Sequence, residues 1–175
     1  MLRVLGAKAA APVFIIDFLK GLAAVMLSYF AVWQLGYGVG SAQVFNLKFA
    51  LVGAAVIGHI FPVFAGFRGG KGVATLAGAV MGVYPPAVLL CLATFIVVLL
   101  LTRYVSLSSM TAGITLPIYV RFVFHQTYVP LIIFCSAVAL LLIFTHRKNI
   151  KRLLSGTESK IRFKQAQEKD THRKK

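Results

Sequence analysis

Residues 73–101, VATLAGAVMGVYPPAVLLCLATFIVVLLL, form an apolar run interrupted near its middle by Tyr84-Pro85-Pro86. Crossing a bilayer as a helix takes about 20 apolar residues, so 29 are too many for one simple span and few for two full ones. A proline pair cannot continue a regular helix, and Gly78 and Gly82 weaken the first half further. Whether this stretch makes one pass or two decides the topology of the whole chain. The other apolar runs cover about 12–35, 47–64, 105–124 and 128–145. Counting 73–101 as one pass puts the basic loop around Arg68 and Lys71 and the basic tail after His146 on opposite sides. Counting it as two puts both, and Arg103, on the same side, as the bias of Lys and Arg toward cytoplasmic segments requires. The expected architecture is therefore an all-α, polytopic membrane protein with about six transmembrane or half-membrane helices. The 12 residues before the prolines form either a short helix packed in protein or one arm of a re-entrant hairpin.

Composition agrees. The chain has 175 residues, 59% of them hydrophobic, a mean hydropathy of +0.84 and a formal net charge of +15. Eleven of its 19 Lys and Arg residues follow His146. That distribution fits contact with anionic membrane lipids and argues against a nucleic-acid partner. Cys91 and Cys135 lie in apolar surroundings without a CxxC spacing, and no metal site or cofactor is expected. The start, Met1 to Lys8, resembles a signal n-region, but no small-residue cleavage site closes the first apolar run. Asp17 and Lys20 share one face of that run, either as an ion pair tying the helix to its neighbours or at the edge of an active site. Trp33 and Tyr37 suit an interfacial belt. From Lys164 onward the polar tail is expected to be disordered.

Two clusters carry the candidate chemistry. The first, Gly58-His59-Ile60-Phe61-Pro62-Val63-Phe64-Ala65-Gly66-Phe67-Arg68-Gly69-Gly70-Lys71-Gly72-Val73-Ala74-Thr75, sets a histidine and two cations among glycines between apolar runs. Gly66, Gly69, Gly70 and Gly72 free the backbone to present N–H groups to an oxyanion, with Arg68 and Lys71 adding charge. The spacing is not that of a Walker A loop. Structural turns and close helix packing also account for such glycines.

The second cluster runs from His146 to Lys160, where the last apolar helix ends. In a helix, His146 and Asn149 share a face, with Arg152 close by. A stop-transfer collar explains Lys148 and Lys151 well, but His146, Asn149 and Glu158 less well. No GxSxG elbow, carboxylate pair or Cys-His pair is present, so covalent catalysis is disfavoured. The residues suit transfer of an already activated group, with cations stabilising phosphate and a histidine managing the proton.

These two clusters, together with Leu2-Arg3-Val4-Leu5-Gly6 and Asp17-Phe18-Leu19-Lys20-Gly21, closely resemble the bacterial acyl-phosphate-dependent glycerol-3-phosphate acyltransferases. The resemblance runs in order over residues 1 to about 163. It implies seven helices in the full family, with a first helix and a serine-glycine-asparagine loop preceding the equivalent of Arg3. The expected organisation is thus a membrane-embedded acyltransferase domain over 1–163, lacking that helix and loop, and a disordered basic tail over 164–175.

The implied reaction is attack of the glycerol-3-phosphate sn-1 hydroxyl on an acyl phosphate, giving lysophosphatidic acid and inorganic phosphate. The implied setting is the bacterial inner membrane, with motif loops and C-terminus cytoplasmic. On this resemblance His146, Asn149 and His59 are the catalytic candidates. Arg3, Arg68, Gly69, Gly70, Lys71, Gly72 and Arg152 are the candidates for substrate phosphate. Asp17, Lys20, Glu158 and Lys160 are assigned structural support, Glu158 by an ion pair with Lys160 or Arg152. The alternatives are a small membrane transporter for an anionic solute and an inactive fragment of the acyltransferase.

Overall fold

The computed structural model describes residues 2–38, 41–67 and 69–161, with side chains from residue 11 onward. The side chain of Arg3, Arg68 and the 164–175 tail, each carrying an expectation above, lie outside the described residues. Those described form seven α-helices: α1 Leu2–Leu35, α2 Ala42–Ile60, α3 Val73–Val83, α4 Pro85–Thr102, α5 Val105–Ile118, α6 Val129–Thr145 and α7 Arg147–Leu154. A 3₁₀ turn, Val63–Ala65, follows α2, and a π turn, Tyr119–Val123, extends α5 just beyond Pro117. Six apolar helices, then a short basic one, match the expected count.

Pro85 breaks the long run as its chemistry demands. Its missing N–H belongs to the first turn of α4, where no intrahelical partner would exist. α4 is long and apolar enough to cross a membrane, as are Ala11–Leu35 and Ala42–Ala65. α3 has only 11 residues, a length of about 16 Å at 1.5 Å per residue, roughly half the hydrocarbon thickness. It is the short helix packed in protein: Ala74, Thr75, Leu76, Gly78, Ala79 and Val80 are all buried.

α1 and α3 cross with their backbones in contact. A β-carbon at Gly21 would run into the Thr75 carbonyl, and one at Gly78 into the Phe18 carbonyl. Small residues at such a crossing gain close van der Waals contact, which drives helix association where lipid leaves little hydrophobic force. Gly82 faces Val25 in the same seam. The core continues through Val56, Leu76, Val80, Leu116, Cys135 and Leu142, joining α2, α3, α5 and α6. Phe49 stacks on Phe134 with ring centroids 4.8 Å apart, tying α2 to α6. Large apolar side chains such as Ile16, Leu101, Ile133 and Leu140 stay exposed at the periphery, as a lipid-facing surface requires.

Two boundaries differ from the sequence expectation. α1 begins ten residues before the apolar run, because Leu2 to Ala11 is rich in good helix formers and Pro12 interrupts one turn without ending the helix. α2 stops at Ile60 instead of 64, because Pro62 restricts the residue before it to extended backbone.

Candidate active site

The two clusters come together at one end of the bundle. α2 ends there at His59 and Ile60, and the chain turns back through the glycine loop into α3. The N–H of Gly69 donates to the Ile60 carbonyl and that of Gly70 to the His59 carbonyl, each at 3.2 Å. The N–H groups of Gly66 and Phe67 return to Val63 and Pro62. The loop therefore satisfies the carbonyls left open at the end of α2. This corrects one expectation: the amides of Gly66, Gly69 and Gly70 are committed within the loop instead of facing an oxyanion. Gly72, at φ +79°, turns the chain into α3 in a conformation that a side chain would strain.

What the loop does leave for an anion is the start of α3. Among the described residues no side chain caps that terminus, and the first-turn amides of a helix carry partial positive charge. Thr75, in the same turn, is fully buried, and its hydroxyl has no hydrogen-bond partner among the described residues. Lys71 is exposed just before the turn.

His59 is drawn toward α1. Its Nδ1 lies 2.7 Å from Lys20 Nζ, which in turn lies 2.6 Å from Asp17 Oδ1. The Asp17 carboxylate is itself 3.3 Å from His59 Nδ1. An ammonium has only protons to give, so Nδ1 accepts. That nitrogen is consequently engaged by α1.

The second cluster is built around Glu158. α6 ends at His146, the axis bends by 59°, and α7 runs on to Leu154. Gly156, at φ +69°, then reverses the chain, with the amides of Thr157 and Glu158 both returning to the Arg152 carbonyl. The reversal brings the Glu158 carboxylate under three donors: Arg152 Nε at 2.6 Å, Asn149 Nδ2 at 2.8 Å and Ser106 Oγ at 2.9 Å. Burial opposes ionisation of Glu158, but those bonds and the Arg152 charge outweigh it and hold the carboxyl down at about 2. Of the two partners expected for Glu158, Arg152 is the one found. Lys160 instead sits 5.2 Å from the Tyr104 ring centre. The Ile161 amide closes onto the Arg103 carbonyl, fixing the segment to the end of α4.

His146 is 1% exposed and aligned by its own helix. Its Nδ1 lies 2.8 Å from the Leu142 carbonyl, an oxygen that can only accept, so Nδ1 carries the proton. In the neutral ring Nε2 is left as an acceptor. Burial pushes the imidazole below its ordinary value; the Leu142 carbonyl opposes this, Lys71 adds to it, and Glu158 opposes it. The glycine-loop cation Lys71 is thus within electrostatic reach of His146, across 75 residues of sequence.

Ser106 was invisible as a site residue in the sequence. A serine near the start of an apolar helix usually bonds its own backbone, as Ser108 and Ser109 do here. Only the three-serine clustering of 106, 108 and 109 hinted at a polar neighbour.

Comparison with known proteins accords with this assembly. A family model described as glycerol-3-phosphate acyltransferase matches residues 1–156. The glycerol-3-phosphate acyltransferase of Thermoanaerobacter sp. (strain X514) is 45% identical over 161 residues, covering 92% of this chain and 75% of that protein. That of Clostridioides difficile (strain 630) is 43% identical with the same coverage. Crystal structures of PlsY (YgiH), an integral membrane glycerol 3-phosphate acyltransferase, in its lysophosphatidic acid and glycerol 3-phosphate forms, superpose with a TM-score of 0.76 at 36% identity. They cover 92% of this chain and 76% and 75% of those chains. A buried histidine, an anion-ready helix start and a cation beside them, carried on a helical membrane scaffold, thus sit in a chain that belongs to the glycerol-3-phosphate acyltransferase family.

Proposed function

We propose that this acyltransferase takes its acyl group from an acyl phosphate and delivers it to the sn-1 hydroxyl of glycerol-3-phosphate. The observation that carries the reading is a buried His146 whose Nδ1 is fixed on the Leu142 carbonyl, with the Lys71 charge within electrostatic reach of the ring. Such an arrangement pairs a group suited to phosphate with a proton acceptor. The hydroxyl oxygen attacks the acyl carbonyl carbon, and His146 Nε2 takes the hydroxyl proton. The bond from that carbon to the phosphate oxygen breaks, and phosphate leaves with the electron pair. Lysophosphatidic acid and inorganic phosphate result.

The start of α3, Gly72, Lys71 and the Thr75 hydroxyl cradle the donor phosphate, where charge accumulates as it departs. Arg152, only partly engaged by Glu158, joins Arg3 and Arg68 in holding the phosphate of the acceptor. Asn149 gives its Nδ2 to Glu158, leaving Oδ1 to accept a glycerol hydroxyl. Glu158, held by three donors, is not the base in this reading.

The domain extends over 1–163 and lies in the bacterial inner membrane, with this end of the bundle cytoplasmic. The concentration of Lys and Arg at that end supports the orientation, and Arg147, Lys148 and Lys151 suit anionic lipid headgroups.

The reading is tested on the protein in lipid nanodiscs supplied with palmitoyl phosphate and labelled glycerol-3-phosphate. Lysophosphatidic acid and inorganic phosphate should appear in equal amounts. Product formed from an acyl thioester but not from palmitoyl phosphate would overturn the donor assignment. His146→Ala should lower kcat by about 10² to 10⁴, the usual contribution of a positioned general base. Unchanged turnover would reject its role.

A further inference from the structure

Asp17 and Lys20 are ionisable residues inside a membrane span, where such groups are costly and mark function. They touch neither His146 nor Glu158. Among the described residues, their partner outside α1 is His59, on α2. From His59 the contacts lead into the loop. The carbonyls of His59 and Ile60 receive the amides of Gly70 and Gly69, and the Nε2 edge of the His59 ring fills the space that a side chain at position 70 would take. The next residue along α1, Gly21, meets the backbone of α3 at Thr75, on the far flank of the same loop. One turn of α1 thus grips the segment just before the loop and the segment just after it.

We propose that this turn, Asp17 to Gly21, is a positioning device that sets the place of Lys71. Lys20 orients the His59 ring through Nδ1, the ring blocks one side of Gly70, and the backbone is steered so that Lys71 emerges toward His146. Asp17 neutralises Lys20 and holds its ammonium between the two helices. The neutral His59 ring carries its proton on Nε2, the tautomer opposite to that of His146. Asp17, Lys20 and His59 are positioning residues, since all three act through the loop. The glycine at 70 is required by the ring beside it, not by φ.

The proposal rests on the phosphate role of Lys71, and its test separates the two. First, ¹⁵N-histidine NMR of the protein in nanodiscs, assigned with His59→Gln, should show the His59 ring protonated at Nε2 with Nδ1 as acceptor. Lys20→Met should abolish that signature and leave His146 protonated at Nδ1. This readout needs no acyl transfer. A wild-type protein with the signature but no activity would sink the functional reading alone. Absence of the signature in wild type would sink the positioning device, whatever the activity.

Second, Lys20→Met should raise, about tenfold, the KM of the same substrate whose KM Lys71→Ala raises, with kcat within about twofold, the pattern of lost uniform binding. Lys20→Gln, which keeps a donor for Nδ1, should recover most of that loss. Gly70→Ala, which displaces the ring directly, should have the same effect as Lys20→Met. The double variant should be no worse than either single one, because both break the same link. Unchanged KM in well-folded Lys20→Met, or additive losses in the double variant, would overturn the proposal.

Discussion

The Asp17–Lys20–His59 group and the Glu158 hub both join distant segments through charge, yet they are built in opposite ways. Inside the span, one ammonium serves two acceptors, and each link has a single route. At the bundle end, one carboxylate serves three donors from two helices, Ser106 on α5 and Asn149 and Arg152 on α7. A group surrounded by lipid and helices is limited to the partners its neighbours provide, and desolvation makes any surplus charge expensive. Near headgroup depth, several donors can converge, and the carboxylate becomes a structural joint. The first arrangement suits adjustment of a loop, the second suits permanence.

Removing the joint should have the largest effect. Glu158→Ala leaves buried Asn149 and Ser106 without their acceptor and frees Arg152, at a cost of about 1–3 kcal/mol for each buried group left unsatisfied. Thermal unfolding in detergent should shift down by several degrees, and acyl transfer should fall to near background. A variant as stable and active as wild type would mean the hub is ornamental.

The α1–α3 crossing should be nearly as sensitive. Gly78→Ala puts a methyl against the Phe18 carbonyl, with backbone on both sides and no flexible side chain to give way. Overpacking of this kind costs about 1–3 kcal/mol. Because the crossing also holds the loop, the KM seen with Lys71→Ala should rise along with the loss of stability.

The two ends of the charge scale separate with pH. The Glu158 carboxyl is depressed from its ordinary 4.5 to about 2, so its stabilisation is complete above the ordinary value and is lost as pH falls toward 2. Between pH 5 and 8 it contributes no slope. His146 is also depressed, so its neutral, proton-accepting form dominates at neutral pH, and acyl transfer should fall as pH drops below its ordinary 6.5. A rate profile flat down to pH 4.5 would remove His146 as the titrating base.

The smallest effect belongs to the surface of α7. Lys151 is exposed and makes no ion pair among the described residues, so Lys151→Ala should change stability by less than about 0.5 kcal/mol. Its consequence should show in weaker activation by anionic lipid, read by varying the phosphatidylglycerol content of the nanodiscs.

Much of the architecture was legible because membranes restrict the choices. Apolar runs can only be helices, the proline pair can only break one, and cation placement then fixes parity. The second cluster was legible because His146, Asn149, Arg152 and Glu158 are near in sequence, so helix spacing and one glycine reversal bring them together. The first was less so. Glycines announce a free backbone but not the acceptors its amides will find, and those of Gly69 and Gly70 turned back to α2. The link from Lys20 to His59 spans 39 residues, and nothing local in either segment points to the other.

The brevity of α3 has a consequence for the helices around it. A helix of about 16 Å cannot connect both surfaces of a hydrocarbon layer about 30 Å thick. At the end of α3 away from the glycine loop, the Tyr84 phenol takes a hydrogen bond from Gln126 at 3.2 Å. The segment after α5 must therefore dip inward to meet it. The missing length is made up inside the protein: α3 is covered by its neighbours, and its far end is met by another segment of the same chain instead of by water at an opposite surface.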